Sequence, residues 1–152
     1  MRTTVTLGIL VALTGHVAGQ KKDGPPPARY GIEADLEGYP QDTVKAVMSS
    51  VLKAIDTRRY DYLAAQLADP DGVDKRVQEL GGKFETFVKV VAERYAGDPE
   101  AIRELRRFAG TGEVNESGDT ATISHKEIKG RQVFLRKAGG RWFLEDRSKP
   151  AK

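Results

Sequence analysis

The chain has no cysteine, and that absence excludes disulfide frameworks, thiolate metal sites, thiol nucleophiles and lipidation of an exported N-terminus. Histidine is nearly as scarce. Of the two present, His16 falls in the N-terminal segment and His125 alone remains beyond it. A single histidine without thiolates is a poor basis for a zinc centre, so neither metal nor cofactor is expected. No G-x-S-x-G elbow presents a serine nucleophile. Gly110-Thr111-Gly112 lacks the preceding strand and following helix of a phosphate loop. Neither sign of charge dominates: 25 Lys+Arg against 22 Asp+Glu leave a formal excess of +3. Arg58-Arg59, Arg103, Arg106-Arg107 and Arg136-Lys137 each lie close to acidic residues in sequence. Nucleic-acid binders gather cations on one face, often with aromatic residues between them, so these charges read as solvated surface and no nucleic-acid partner is expected.

What is present begins with an address. Met1-Arg2 is a short basic start, and Thr3 to Leu13 is an uncharged, largely apolar run. That run is shorter than the roughly 18 residues of a spanning helix. Val17 and Gly19 suit the small-residue positions before a cleavage site, which predicts a signal peptide over 1–19 and an exported protein, periplasmic or secreted. No later stretch is apolar enough to cross a bilayer. Residues 20–39 carry Pro25-Pro26-Pro27, Gly31, Gly38 and the acids Glu33, Asp35 and Glu37. This composition predicts a flexible Pro/Gly-rich tether, because proline fixes φ and removes amide donors. A single domain is expected over 40–147, followed by a disordered tail at 148–152. The total of 152 residues suits one domain.

Within that domain Val44, Val47, Met48, Val51, Leu52 and Ile55 recur at helical spacing, with Pro40 in the first turn and Asp42 near its positive end. A break is expected near Asp56-Thr57, then a short helix carrying Tyr60, Leu63, Ala64 and Leu67, closed by Asp69-Pro70-Asp71-Gly72. A third helical region spans Val73 to Tyr95 with an interruption at Gly81-Gly82. Phe84, Phe87, Val88, Val91 and Tyr95 form its apolar stripe. The fourth has Asp98 as N-cap and Pro99 at its first position, turns Ile102, Leu105, Phe108 and Ala109 inward, and ends at Gly110.

After Gly110 the period drops to that of strands. Val114 lies in a first strand and Thr120 to His125 in a second, β-branched one. A turn at Lys129-Gly130 leads into Gln132 to Arg136, and Gly139-Gly140 turns into Arg141 to Glu145. The expected fold class is α+β, with N-terminal helices packed on a C-terminal four-stranded antiparallel meander forming a curved, cone-like sheet. The stretches Val44 to Asp69, Gly118 to Ile123 and Gly139 to Leu144 together resemble small exported members of the nuclear-transport-factor-2-like superfamily, which share a cystatin-like curved sheet wrapped on a long helix. The helical stretch Val73 to Phe108 departs from that pattern, where many members place an early strand. The superfamily holds isomerases, dehydratases, cyclases and non-catalytic binding modules, so the resemblance implies a fold and no single activity.

Among candidate residues, His125 on the second strand shares a face with Ala121 and Ile123, and is the one possible general base. The alternative places it at the rim of the sheet beside Lys126 and Glu127. Asp69-Pro70-Asp71-Gly72-Val73-Asp74 faintly resembles a calcium loop, but Val73 and Leu80 occupy positions that need oxygen ligands. A helix-end turn capped by Asp71 accounts for the same residues. Trp142 and Leu144 point one way and Phe143 the other, with Trp142 expected against the first long helix. Tyr60, Tyr95, His125, Phe134 and Phe143 are the expected lining of a pocket between helices and sheet. The expected function is a non-catalytic exported module binding a small apolar ligand or a protein partner there. The alternatives are an isomerase- or dehydratase-type enzyme with a pocket acid and base, and an envelope protein whose role is assembly.

Overall fold

A computed structural model describes residues 24–147. The expected signal peptide and C-terminal tail lie outside the described residues. Helix α1 spans Val44–Asp56 and starts later than the position of Pro40 suggests. Thr43 is its cap, the hydroxyl accepting from the Ala46 amide at 3.0 Å, which satisfies a donor that a helix start otherwise leaves open. Pro40 stays outside, and its carbonyl accepts the Ser50 hydroxyl at 2.8 Å. Helix α2, Tyr60–Tyr62, widens into a π-helical turn at Leu63–Leu67, all five residues of which are buried. Helix α3 is Pro70–Glu79, capped by Asp69 through the Gly72 amide. The cap is therefore Asp69, two residues before the expected Asp71, because Pro70 fits the first helical position and lacks the amide hydrogen that position would leave unpaired. Helices α4, Phe84–Gly97, and α5, Pro99–Thr111, follow, with Asp98 capping α5 as its sequence predicts.

The strands β1, Glu113–Ser117, β2, Thr120–His125, β3, Ile128–Ala138, and β4, Arg141–Glu145, form one open antiparallel sheet in the order β1-β2-β3-β4. The chain is an α+β protein with a C-terminal meander. Gly139 and Gly140 both have positive φ, 55° and 77°, which a two-residue turn compatible with strand twist requires. The β2–β3 turn is Lys126-Glu127, not Lys129-Gly130. An irregular register between Ile123 and His125 lets Ile128 return to the core at the start of β3. The handover from helix to sheet falls at Gly112, two residues later than expected. There a Cβ would lie 2.3 Å from the Phe108 carbonyl oxygen and 2.4 Å from Ile123.

The α1 stripe of Val44, Val47, Met48, Val51 and Ile55 is buried against Ala121, Ile123, Val133, Leu135 and Trp142 of the sheet, with Phe108 of α5. Leu52, placed on that stripe by its spacing, is half-buried. A second apolar cluster joins Ala64 and Ala65 to Val73, Val77 and Phe84. Trp142 packs with the α1 side as expected. Phe143 is equally buried, at 1% exposure, opposite Arg136 in the ladder and with the Arg141 guanidinium 4.9 Å from its ring centre.

Residues 24–39 depart from the tether expectation by lying on the domain. Arg29 donates to the Ala65 and Pro70 carbonyls and to Asp74, at 3.0, 3.2 and 2.5 Å. Tyr30 stacks on Phe84 with ring centres 4.1 Å apart. Tyr39 is buried and stacks on Tyr62, whose hydroxyl accepts from the Asp35 amide at 2.8 Å. The prolines do keep this stretch out of regular structure. Its arginine and tyrosines supply the anchors, and a reading by average composition gives such single side chains little weight.

Two buried glutamines complete the joint. Gln41 donates through Nε2 to the Gln66 and Trp142 carbonyls, each at 2.9 Å. Gln66 donates to the Ile32 carbonyl at 2.7 Å. The Arg141 guanidinium reaches both glutamine oxygens at 3.3 and 3.4 Å. The outer edge of β4 is thereby covered, since the Trp142 amide donates to the Gln41 carbonyl and the Asp69 amide to the Leu144 carbonyl, both at 2.8 Å. Covering an edge in this way removes a template for unwanted strand pairing.

Candidate functional site

At the opposite end of the sheet the helices do not close over the strands. One wall of the resulting groove is α4, through Phe87, Val91, Arg94 and Tyr95. The other is the first half of β3, Gly130 to Phe134. Leu63, Ala64 and Ala68 form the floor, and Leu144 to Arg147 close one end. The space amounts to about 410 Å³, within the range of small-ligand clefts. A smaller hollow of about 210 Å³ adjoins it, sharing Ala68, Phe87, Leu144, Glu145 and Asp146 and extending to Lys75, Arg76 and Glu79.

The groove exists because the α4 stripe is only partly used. Of its five apolar residues Phe84 alone is buried, while Phe87, Val88, Val91 and Tyr95 remain half-buried. The π-helical turn contributes the floor: the Ala68 amide donates back to the Leu63 carbonyl at 2.9 Å, five residues earlier. The chain then runs extended, and Ala68 pairs with Leu144 in a single parallel bridge.

Charge is confined to the rim. Arg94 pairs with Asp146 at 3.5 Å, Arg131 with Glu104 of α5 at 2.6 Å, and Arg147 with Glu145 at 3.0 Å. The Arg147 guanidinium also lies 4.3 Å from the Phe134 ring centre. Tyr95 stands at the α4 wall. Burial pushes its phenol above the ordinary value, partly offset by Arg94, and so keeps the hydroxyl protonated.

The expected pocket residues are only partly brought together. Tyr95 and Phe134 line the groove. Tyr60 stands behind Tyr95, stacked at 6.2 Å and half-buried. Phe143 is buried on the face of the sheet opposite Trp142 and does not line the groove. His125 sits away from the groove at the end of β2, its Nε2 2.9 Å from the Thr111 hydroxyl. Its ring lies edge-on to Phe108, and its Nδ1 accepts the Glu127 amide at 3.2 Å. Both ring nitrogens thus serve the α5–β2 junction and the following turn, which corresponds to the rim alternative.

The acids of the faint calcium loop are likewise engaged. Asp69 and Asp71 lie 2.8 and 2.6 Å from the Arg136 guanidinium. Among the described residues no group of three His, Asp or Glu side chains converges for a metal, and no helix is long and apolar enough to cross a membrane. Leu63, Ala64 and Leu144 stand on apolar faces by their spacing, which predicts core positions, and Ala68 and the rim arginines carry no signal in the patterning. The available signal was an excess of apolar helix stripes over inward-facing sheet positions, which leaves one stripe without a full cover. Comparison of the chain with protein-family models, with curated proteins and with solved structures finds no match.

Proposed function

We infer that the protein is a non-catalytic binding module whose α4–β3 groove takes a small apolar ligand. The observation that carries this reading is the groove itself: about 410 Å³ of space walled by Phe87, Val91, Tyr95 and Phe134 over a floor of Leu63 and Ala64. Half-buried aromatic and aliphatic side chains around a concavity gain from any apolar group that displaces water, at roughly 25 cal/mol per Å² covered. The lining also favours binding over catalysis. An acid–base enzyme needs converging groups with pKa values pushed apart. The Tyr95 phenol is held in its neutral form, and the rim carboxylates Glu145 and Asp146 are each paired with an arginine.

The order of helices before a meander supports keeping the nuclear-transport-factor-2-like resemblance within this proposal, and the Met1 to Gln20 pattern supports action outside the cytoplasm. The test is a titration with the neutral fluorophore N-phenyl-1-naphthylamine. A saturable rise in emission is expected, abolished by Val91→Trp, which fills the groove from α4, and by Gln132→Trp, which fills it from β3. Emission that does not rise, or that rises equally in both variants, contradicts the reading.

A further inference from the structure

The rim of the groove says more about the ligand than its walls do. Three arginines stand around the opening, Arg94, Arg131 and Arg147, against two acids, Glu145 and Asp146. Two of these arginines are committed. Arg131 is held at 2.6 Å by Glu104, whose side chain is only 16% exposed. Arg147 is held at 3.0 Å by Glu145 and also covers Phe134. Arg94 differs. Its ion pair with Asp146 is the longest of the three, at 3.5 Å, and its two side chains are 62% and 53% exposed. An exposed pair of this kind contributes little to stability, so exchanging its anion costs little.

The present anion is also a clue to the next one. Asp146 brings a carboxylate to the guanidinium at the lip of an apolar cleft, and guanidinium and carboxylate match geometrically through paired N–H donors. Val91 and Tyr95, one turn before and one residue after Arg94 on α4, carry the apolar wall directly below it. The adjoining smaller hollow shares Ala68, Phe87 and Leu144 with the groove and is lined beyond them by charged Lys75, Arg76 and Glu79. The C-terminal end of α4 opposes an anion on the helix axis. That places the headgroup outward along the arginine side chain, at the rim.

Resting on the binding-module reading above, we propose that the groove's ligand is a medium-chain carboxylate. Its acid group replaces Asp146 at Arg94, and its chain lies along Val91, Phe134 and Leu144. The chain contributes most of the free energy, and the carboxylate sets the class and orientation of the ligand.

Calorimetric titration of the full chain with decanoate and, separately, with decanol tests this, both kept below aggregate-forming concentrations. Decanoate is expected to bind more tightly than decanol by about two- to fivefold, the scale of one solvent-exposed ion pair. Arg94→Gln lowers decanoate affinity more than decanol affinity and so removes that advantage, and Val91→Trp and Gln132→Trp abolish binding of both. Equal affinity for acid and alcohol, or an unchanged preference in Arg94→Gln, overturns the carboxylate assignment while leaving the apolar groove standing. Failure of both compounds to bind, or binding that survives both tryptophan substitutions, overturns the assignment together with the binding-module reading beneath it.

Discussion

The two ends of the sheet solve the same problem in opposite ways. Where β4 meets α1 and the N-terminal segment, buried polar side chains tie the elements together. Gln41 and Gln66 are 2% and 0% exposed, and their side chains are matched to carbonyls and to Arg141. Where β3 meets α4, aliphatic and aromatic side chains of the same kinds stop half-buried around open space. Buried polar groups with full sets of partners fix one arrangement of the chain. An apolar surface without a cover does little for stability and is available for something else. The difference assigns structural work to the first end and binding to the second.

The comparison breaks first if truncation costs are alike at both ends. Leu135→Ala, at a position with 0% exposure between β2 and β4, is expected to cost about 2–5 kcal/mol in urea unfolding. Gln66→Ala comes next. It removes one of the two donors to the Ile32 carbonyl, the Arg29 amide being the other, and, at a fully buried position, leaves Arg141 without one acceptor, and about 1–3 kcal/mol is expected. The same variant should speed proteolysis within residues 24–39, since Gln66 and Arg29 hold that segment to the domain.

A third effect is set by pH. Tyr30 is pushed up to about 12, by burial and then by its bond to Asp74. Tyr62 and Tyr95 are raised as well, burial being the largest cause in each. A phenol whose folded value lies above its unfolded value near 10.0 favours the folded state while both forms are protonated. That contribution is complete below the unfolded value and is lost as pH rises through the folded ones. The unfolding midpoint should therefore fall between about pH 10 and 12, and Tyr30→Phe should flatten the upper part of the decline. The smallest effect belongs to the groove: Val91→Ala, at a half-buried site, should cost under about 1 kcal/mol. A loss there as large as at Leu135 would mean that the groove wall is core.

The sequence made the first of these regions legible only in part. The α1 stripe, the Asp98-Pro99 helix start and the Gly139-Gly140 turn follow from local chemistry, so spacing and turn residues were enough to place them. Pro40 and Lys129-Gly130 misled because each has the local signature of a boundary that longer-range demands moved. Thr43 caps α1 while Pro40 receives Ser50, and burial of Ile128 draws β3 back to an earlier start. The N-terminal segment was misread for the reverse reason. Its composition is that of a spacer, but Arg29, Tyr30 and Tyr39 find partners far along the chain.

The groove was half visible. Tyr95 and Phe134 were expected in a pocket and stand in one, whereas His125 and Phe143 followed strand alternation into the α5 junction and a buried face of the sheet. Periodicity says which side of an element is apolar. Whether a second element covers that side depends on how many stripes compete for one sheet.

Backbone chemical-shift mapping on adding N-phenyl-1-naphthylamine tests the central claim most directly. Perturbed amides are predicted to cluster in Leu63, Ala64 and Ala68, the second half of α4, Gly130 to Phe134 and Leu144 to Arg147, with α1 and the Gln41, Arg141 and Trp142 side of the joint silent. Shifts centred on α1 or on that joint, or no shifts at all, would contradict the assignment of binding to the open end of the sheet.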